Sequence, residues 1–273
     1  MRVAVCAMAK NEQLYIKDWV DHYLKLGFDK IYIFDNDEKD KPKELLIKNI
    51  LPKNNRVEIF NIRGVNYERL QHDIYSHFYF QYNREFDWCF FCDIDEFLFG
   101  IKEIHSFLER PYFRTAKQIR VKWKLFGDDN LIERDMSKPV YEIFSHEIKK
   151  SLNKELNGKG DLENQGKMFV RGGLRNVVIR SPHFASFFKR ENVIPSVLPS
   201  GRGCWSKIEI KENYRNETVY LHHYMTKSLS EFVIQKLNRT DAVFNNKIPL
   251  NYYWRINEKT PEKLEYLKNL GLE

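Results

Sequence analysis

Asp93-Ile94-Asp95-Glu96 places three carboxyl groups directly behind the apolar run Trp88-Cys89-Phe90-Phe91-Cys92. Unpaired charge at the end of a buried segment is costly, so a cationic partner is expected there. In an extended Asp-x-Asp the two carboxylates face the same way and can share one hard cation with the phosphates it carries. A solvated turn is the plain alternative for so short a motif. Lys10-Asn11-Glu12 and Asp35-Asn36-Asp37 are two further polar clusters behind β-rich runs. Farther along, His222-His223-Tyr224-Met225-Thr226-Lys227-Ser228 offers an imidazole that would complete a mixed nitrogen and oxygen site. A helix beginning at Ser228 would add a terminus that favours anions, although a packed His-His pair is the simpler reading of the histidines alone. No G-x-G-x-x-G follows the first strand and no G-x-x-x-x-G-K-[ST] occurs, so phosphates must be held by metal and side chains. Cys89 and Cys92 match C-x-x-C, but residues three apart on a strand face opposite sides, which favours packing over zinc or redox chemistry.

These clusters need elements to position them. Residues 2–8 read as a buried strand, and Ile16, Trp19, Val20, Tyr23 and Leu24 recur at helical spacing up to Gly27, a C′ residue. Ile31–Phe34 and Arg56–Asn61 read as strands two and three, with a Pro42-initiated helix over 42–50 between them. Leu70, Ile74, Phe78 and Tyr82 step by four through a helix over Tyr67–Asn83, ahead of a fourth strand at Trp88–Cys92. Strands alternating with helices predict a parallel sheet covered on both faces, with ligands beyond the carboxyl ends of its strands. After about residue 117 the alternation is lost. Gln118–Leu125 and Asn176–Arg180 read as strands, Lys149–Lys167 as a loop, Ser228–Asn238 as a helix, and Pro261–Asn269 as a last helix capped by Thr260.

The chain has 273 residues and 45 Lys and Arg against 38 Asp and Glu, a net charge of +7, which suits an anionic partner without naming it. With 42% hydrophobic residues and only 12 Gly and 9 Pro, it can bury a core and is not a disordered or collagen-like chain. No apolar run approaches the roughly 18 residues of a membrane span, and the first residues enter a strand pattern without a signal-peptide core. Four sparse cysteines suit a reducing compartment. The expected address is the cytoplasm, with peripheral contact to the inner face of an anionic membrane.

In that order, Lys10-Asn11-Glu12, Asp35-Asn36-Asp37, the Trp88–Glu96 run and the His222–Ser228 segment resemble GT-A glycosyltransferases of the family-2-like and family-92 types, over roughly residues 3–240. The resemblance implies an α/β GT-A fold with a Rossmann-like, mostly parallel central sheet flanked by helices. Residues 1–110 would form the nucleotide-sugar half, and 111–273 a mixed α+β acceptor half with C-terminal helices of one continuous domain. It implies a manganese or magnesium ion on Asp93, Asp95 and His223, and a UDP-hexose donor contacted by Lys10, Glu12, Asp35, Asp93, Lys227 and Ser228. His183, Lys167 and Arg171 are expected to line the same pocket. The implied reaction moves a sugar, with inversion, to a hydroxyl of a glycan or glycolipid acceptor in surface polysaccharide or lipopolysaccharide synthesis. An inverting reaction benefits from a carboxylate that takes the acceptor proton, an effect of about 10²- to 10⁴-fold. Asp128 or Asp129, behind Phe126-Gly127, is the candidate.

Two rival readings stay open at this level. An apolar strand followed by Asp-x-Asp, with Gly127-Asp128-Asp129 downstream, also echoes haloacid-dehalogenase-type phosphatases, in which the first aspartate is the nucleophile. Against this, Phe97 stands where that family has Thr or Val, and the motif follows the fourth strand instead of the first. The basic stretches Lys117–Lys124 and Lys149–Lys159 would suit a nucleic-acid surface, but no zinc-finger, RNP or helix-turn-helix signature accompanies them, and nucleic acid is not an expected partner.

Overall fold

In a computed structural model of the chain, residues 1–148, 165–188, 190–204, 217–237, 239 and 247–272 are described. The first third builds β1 (Val3–Ala9), α1 (Ile16–Lys25), β2 (Lys30–Asp35), α2 (Ile47–Ile50), β3 (Val57–Asn61), α3 (Leu70–Tyr82), β4 (Trp88–Phe91), β5 (Glu96–Phe99) and α4 (Ile104–Leu108). There follow β6 (Gln118–Phe126), α5 (Val140–Ile143), β7 (Gly166–Arg171), β8 (Val177–Ser181), β9 (Phe184–Phe187) and β10 (Arg190–Val193). The remainder gives β11 (Ser196–Val197), β12 (Gly203–Cys204), β13 (Tyr220–Tyr224), α6 (Leu229–Gln235), α7 (Leu250–Trp254) and α8 (Pro261–Asn269).

The main sheet runs β12-β11-β6-β7-β4-β1-β2-β3. The pairs β4-β1, β1-β2 and β2-β3 are parallel, as the alternation of strands and helices predicts. This is the expected mixed α/β architecture with a mostly parallel core. Alternate residues of β1 enter two separate cores. Val3, Val5, Ala7 and Ala9 join α1 residues such as Trp19 and Tyr23 on one face, whereas Ala4 and Cys6 join Tyr75 and Phe78 of α3 on the other. Period-2 alternation of apolar residues that are all buried is what a sheet covered on both faces requires. Cys89 and Cys92 fall into these opposite cores with free thiols, as packing predicts. Gly27, at φ +91°, sits just beyond the last turn of α1 as a left-handed C′ residue.

Three departures from expectation shape the site. The helix over 42–50 is broken by Leu46, whose ψ of 134° separates a 3₁₀ turn at Lys43–Leu45 from α2. Residues 149–164 of the expected loop lie outside the described residues, yet its end, Gly166–Lys167, is the start of β7, a buried strand antiparallel between β4 and β6. A Cβ on Gly166 would lie 1.8 Å from the Val121 carbonyl oxygen, so glycine permits this close entry. Finally, Asp93-Ile94-Asp95 is a turn and not an extended segment: the Glu96 amide donates to the Asp93 carbonyl at 3.2 Å, and the chain reverses into β5. β5 and β13 pair antiparallel and β13 pairs parallel with β6, so strands from 1–110 and 111–273 interlock. A separate three-stranded sheet, β10-β9-β8, sits over α3, where the Ile179 amide donates to Ser76 Oγ at 2.9 Å. Among the described residues no helix is long and apolar enough to cross a membrane.

The central turn is also held from α1. His22 Nε2 donates to the Leu98 carbonyl of β5 at 2.9 Å, and burial lowers its pKa to about 4. Since the folded ring resists protonation while the unfolded one titrates near 6.5, the unfolded chain binds more protons below that pH, and stability falls as pH drops from about 6.5 to about 4. The expected loss is about 3 kcal/mol. Urea unfolding of wild type and His22→Gln at pH 7 and pH 4.5 checks this: the variant keeps a donor toward Leu98 without a titrating ring and should lose distinctly less stability on acidification. Equal losses in both proteins would remove His22 as the cause.

Candidate functional site

The carboxyl ends of β1, β2 and β4 and the adjoining parts of β6 and β13 surround a cleft of about 300 Å³. Of the residues expected there, Lys10, Glu12, Asp93, Asp95, His183 and His223 line it. Its other polar walls include Asn36, Gln71, Lys236 and Arg239.

At its centre, the Asp93–Asp95 turn is fixed from every side. Trp19 Nε1 donates to the Asp93 carbonyl at 3.0 Å, the Tyr224 amide to the Asp95 carbonyl at 2.9 Å, and Tyr75 Oη to the Cys92 carbonyl at 3.1 Å. Asp93 accepts from Gln71 Nε2 at 2.6 Å through one oxygen and from Lys167 Nζ through the other. Asp95 Oδ2 accepts from Lys236 Nζ at 2.5 Å and lies 3.8 Å from Lys227 Nζ. Asp95 Oδ1 faces His223 Nε2 at 3.5 Å. Glu96, fully buried, lies 3.3 Å from Lys167.

Three carboxyl groups are thus matched by three lysines. Burial opposes ionisation of both aspartates, but Lys236, with Lys227, outweighs it at Asp95 and holds that carboxyl well below the usual range, while Lys167 lowers Asp93. At Glu96 burial wins and pushes the carboxyl well up. Lys227 is pulled down to about 8 by burial, with Asp95 opposing. Burial also lowers the pKa of His223, which favours a neutral imidazole. His183 is lowered to about 3 by burial and by Lys167. A bare carboxylate pair would repel a diphosphate; this one is compensated and can stand next to it.

Does the centre fit a divalent ion? Among the described residues no three acidic, histidine or cysteine side chains form a metal cage. Asp93 has both oxygens engaged, by Gln71 and Lys167. Asp95 Oδ1 and His223 Nε2 remain, an oxygen and a nitrogen facing one another across the cleft wall beyond ordinary hydrogen-bond length. Two such donors fit an ion that takes its remaining ligands from phosphate oxygens and water.

Several expected residues are engaged elsewhere. Lys227 is buried behind Asp95, its ammonium 3.7 Å above the Tyr15 ring, and does not line the cleft. Ser228 is the N-cap of α6, locked in a capping box with Glu231, so its hydroxyl is occupied. Asp35 accepts from the Asp37 amide at 3.1 Å and closes a turn, leaving Asn36 as the cleft residue of that cluster. Arg171 lies at the far end of β7, stacked on Trp88 and donating to the Ala116 carbonyl at 2.6 Å. Neither candidate base lines the cleft. Asp128 is buried against Lys263, Tyr253 and Asn257, and Asp129 accepts from Ser145 and His146. Lys117–Lys124 is no exposed basic surface, because β6 is an interior strand with Gln118 and Arg120 fully buried.

Lys236, Arg239, Trp123 and Gln71 are among the cleft residues that escaped the sequence reading. Lys236 closes α6 eleven positions after Met225, to whose carbonyl it also donates at 2.5 Å. Arg239 donates to the Lys10 carbonyl at 2.6 Å and to Glu12 Oε1 at 3.0 Å. Trp123 and Gln71 reach the cleft from β6 and α3. A basic residue eight positions, about two helix turns, after the His-Tyr-x-x-Lys-Ser segment was the available hint for Lys236; the others are placed at the centre only by the fold.

No curated protein matches the chain. Solved structures to which it is similar include S. aureus TarS residues 1–349 in complex with UDP-GlcNAc, at 16% identity over 46% of this chain and 35% of that one, with a TM-score of 0.34. The same fragment in complex with UDP gives 17% identity over 46% and 36%, with a TM-score of 0.33. Without those ligands in its description it gives 14% over 63% and 47%, with a TM-score of 0.37. The chain spans less than half the length of each of these. Residues 1–263 match glycosyltransferase family 92, which takes in the whole cleft from Met8 to Tyr252, and the chain belongs to that family.

Proposed function

We propose that this chain moves a hexosyl group, with inversion, from a UDP-sugar to a hydroxyl of a surface glycan or glycolipid. Family membership supports the reaction class. The observation that carries the donor reading is the compensated acid centre: Asp95 and His223 converge on a cleft in which the acids Glu12 and Asp93 are accompanied by Lys10, Lys236 and Arg239. Lys236, paired with Asp95, and Arg239, paired with Glu12, line the cleft and would offset the charge that a diphosphate develops as the glycosidic bond breaks, in a partly water-excluded wall where a fixed cation acts most strongly. Glu12 and Asn36, at the β1 and β2 end, are suited to hydroxyl and amide contacts with a nucleoside. Manganese or magnesium, when bound, would act as a Lewis acid on the leaving diphosphate, held by Asp95 and His223. Gln71 and Lys167 keep Asp93 oriented beside that place.

The reaction is proposed for the cytoplasm, at the inner face of a membrane; buried free cysteines are compatible with a reducing compartment. A melting-temperature panel tests the donor reading. UDP with manganese should raise the melting temperature by several degrees, whereas UMP or manganese alone should do so far less. Indifference to every nucleoside diphosphate tried would sink it.

A further inference from the structure

The cleft has a second end. Across the sheet the residues behind each strand run in a fixed order: Asn36 behind β2, Lys10 behind β1 and Asp93 behind β4, followed by Gly166 at the start of β7 and Trp123 on β6. A ligand with its nucleoside at β2 and β1 and its diphosphate at Asp95 therefore presents whatever lies beyond the diphosphate to Trp123 and to His183.

Two side chains at this end have unfilled hydrogen-bonding capacity. His183 Nδ1 lies 2.9 Å from the Gly166 carbonyl oxygen. A carbonyl only accepts, so Nδ1 carries the proton and, in the neutral ring, Nε2 is left as an acceptor. His183 lines the cleft edge-on to Trp123, with ring centroids 5.2 Å apart at 80°. Trp123 is only 7% exposed, also lines the cleft, and its indole N–H has no hydrogen-bond partner among the described residues. A buried donor without a partner is costly and uncommon. An aromatic wall with one acceptor and one donor matches a pyranose ring, which offers C–H faces to the indole and hydroxyls to both polar atoms.

We propose that Trp123 and His183 form the subsite for the donor's hexose ring, His183 Nε2 accepting from one sugar hydroxyl and the Trp123 N–H donating to a sugar oxygen. The proposal rests on the donor reading above. His183 then determines sugar specificity, because a sugar without a hydroxyl at that position leaves the imidazole acceptor unpaired.

The test compares UDP with UDP-glucose, UDP-galactose and UDP-N-acetylglucosamine, each with manganese, by titration calorimetry on wild type, His183→Asn and Trp123→Phe. Asn can still donate to the Gly166 carbonyl but has no acceptor where Nε2 stood; Phe keeps the aromatic wall and removes the N–H. Both variants should weaken the best-bound UDP-sugar about tenfold while leaving UDP within about twofold. Equal weakening of UDP and UDP-sugar, or no change in either, overturns the subsite while leaving the donor reading standing. Failure of all four probes to bind wild type removes the donor reading and the subsite with it. If His183→Asn does not fold, Trp123→Phe alone decides between these outcomes.

Discussion

Replacing Asp95 by Asn is expected to lower kcat/KM for nucleotide-sugar hydrolysis by about 10²- to 10³-fold, the size of effect seen when one charge-stabilising group of an active site is removed. Asp95 has the most connected carboxylate of the centre: Lys236 at 2.5 Å, His223 at 3.5 Å and Lys227 at 3.8 Å all converge on it. Asparagine keeps the shape of the turn and loses the charge, so the lysines would repel each other and one of the two proposed metal ligands would be weakened. Asp93→Asn should cost less, because Gln71 and Lys167 hold that side chain at the edge of the site. Single-turnover release of UDP, alongside near-ultraviolet circular dichroism to confirm the fold, measures the difference. An Asp95→Asn protein that keeps more than a tenth of wild-type activity would take Asp95 out of the reacting centre.

The second large effect is on stability. Asp128 would be the base if chain position alone decided, yet it is buried and shared by Lys263 at 2.5 Å, the Tyr253 hydroxyl and, through its turn, the Asn257 side chain, which accepts from the Asp128 amide at 2.9 Å. These partners belong to or flank α7 and α8, so Asp128 fastens the C-terminal helices to the end of β6. Asp128→Ala should destabilise the protein by about 3–5 kcal/mol, because Lys263 is left buried without its counter-charge. The denaturant midpoint should fall accordingly, while donor binding at a temperature where the variant is folded should be little changed. A variant of normal stability that had lost transfer would restore Asp128 as a proton acceptor.

The parallel order of β1 to β4 was legible because a two-sided sheet demands continuous apolar runs such as Val3–Ala7 and Trp88–Cys92, and because α1 and α3 carry their apolar residues at helical spacing. Polar clusters behind those runs were legible for the same reason: a residue following a buried strand must emerge at its carboxyl edge. Asp93, Asp95, Glu12 and Lys10 accordingly reach one cleft. β7 was not legible. It is a short antiparallel strand read as the end of a polar loop, and its lysine belongs in the interior only because Asp93 and Glu96 await it there.

What the sequence determined by itself is therefore local: which runs are buried, where acids and His223 leave them, and that some cation must answer the acids. Only the tertiary structure decided which cations do so. Lys167, Lys236 and Arg239 are each separated from their acidic partners by at least 71 residues, so local spacing does not pair any of them with a particular acid. It also decided that the Ser228 hydroxyl is occupied by the cap of the helix it begins and that Asp128 anchors another, because a polar atom can be assigned to ligand chemistry only after the demands of the surrounding backbone and buried charges have been met.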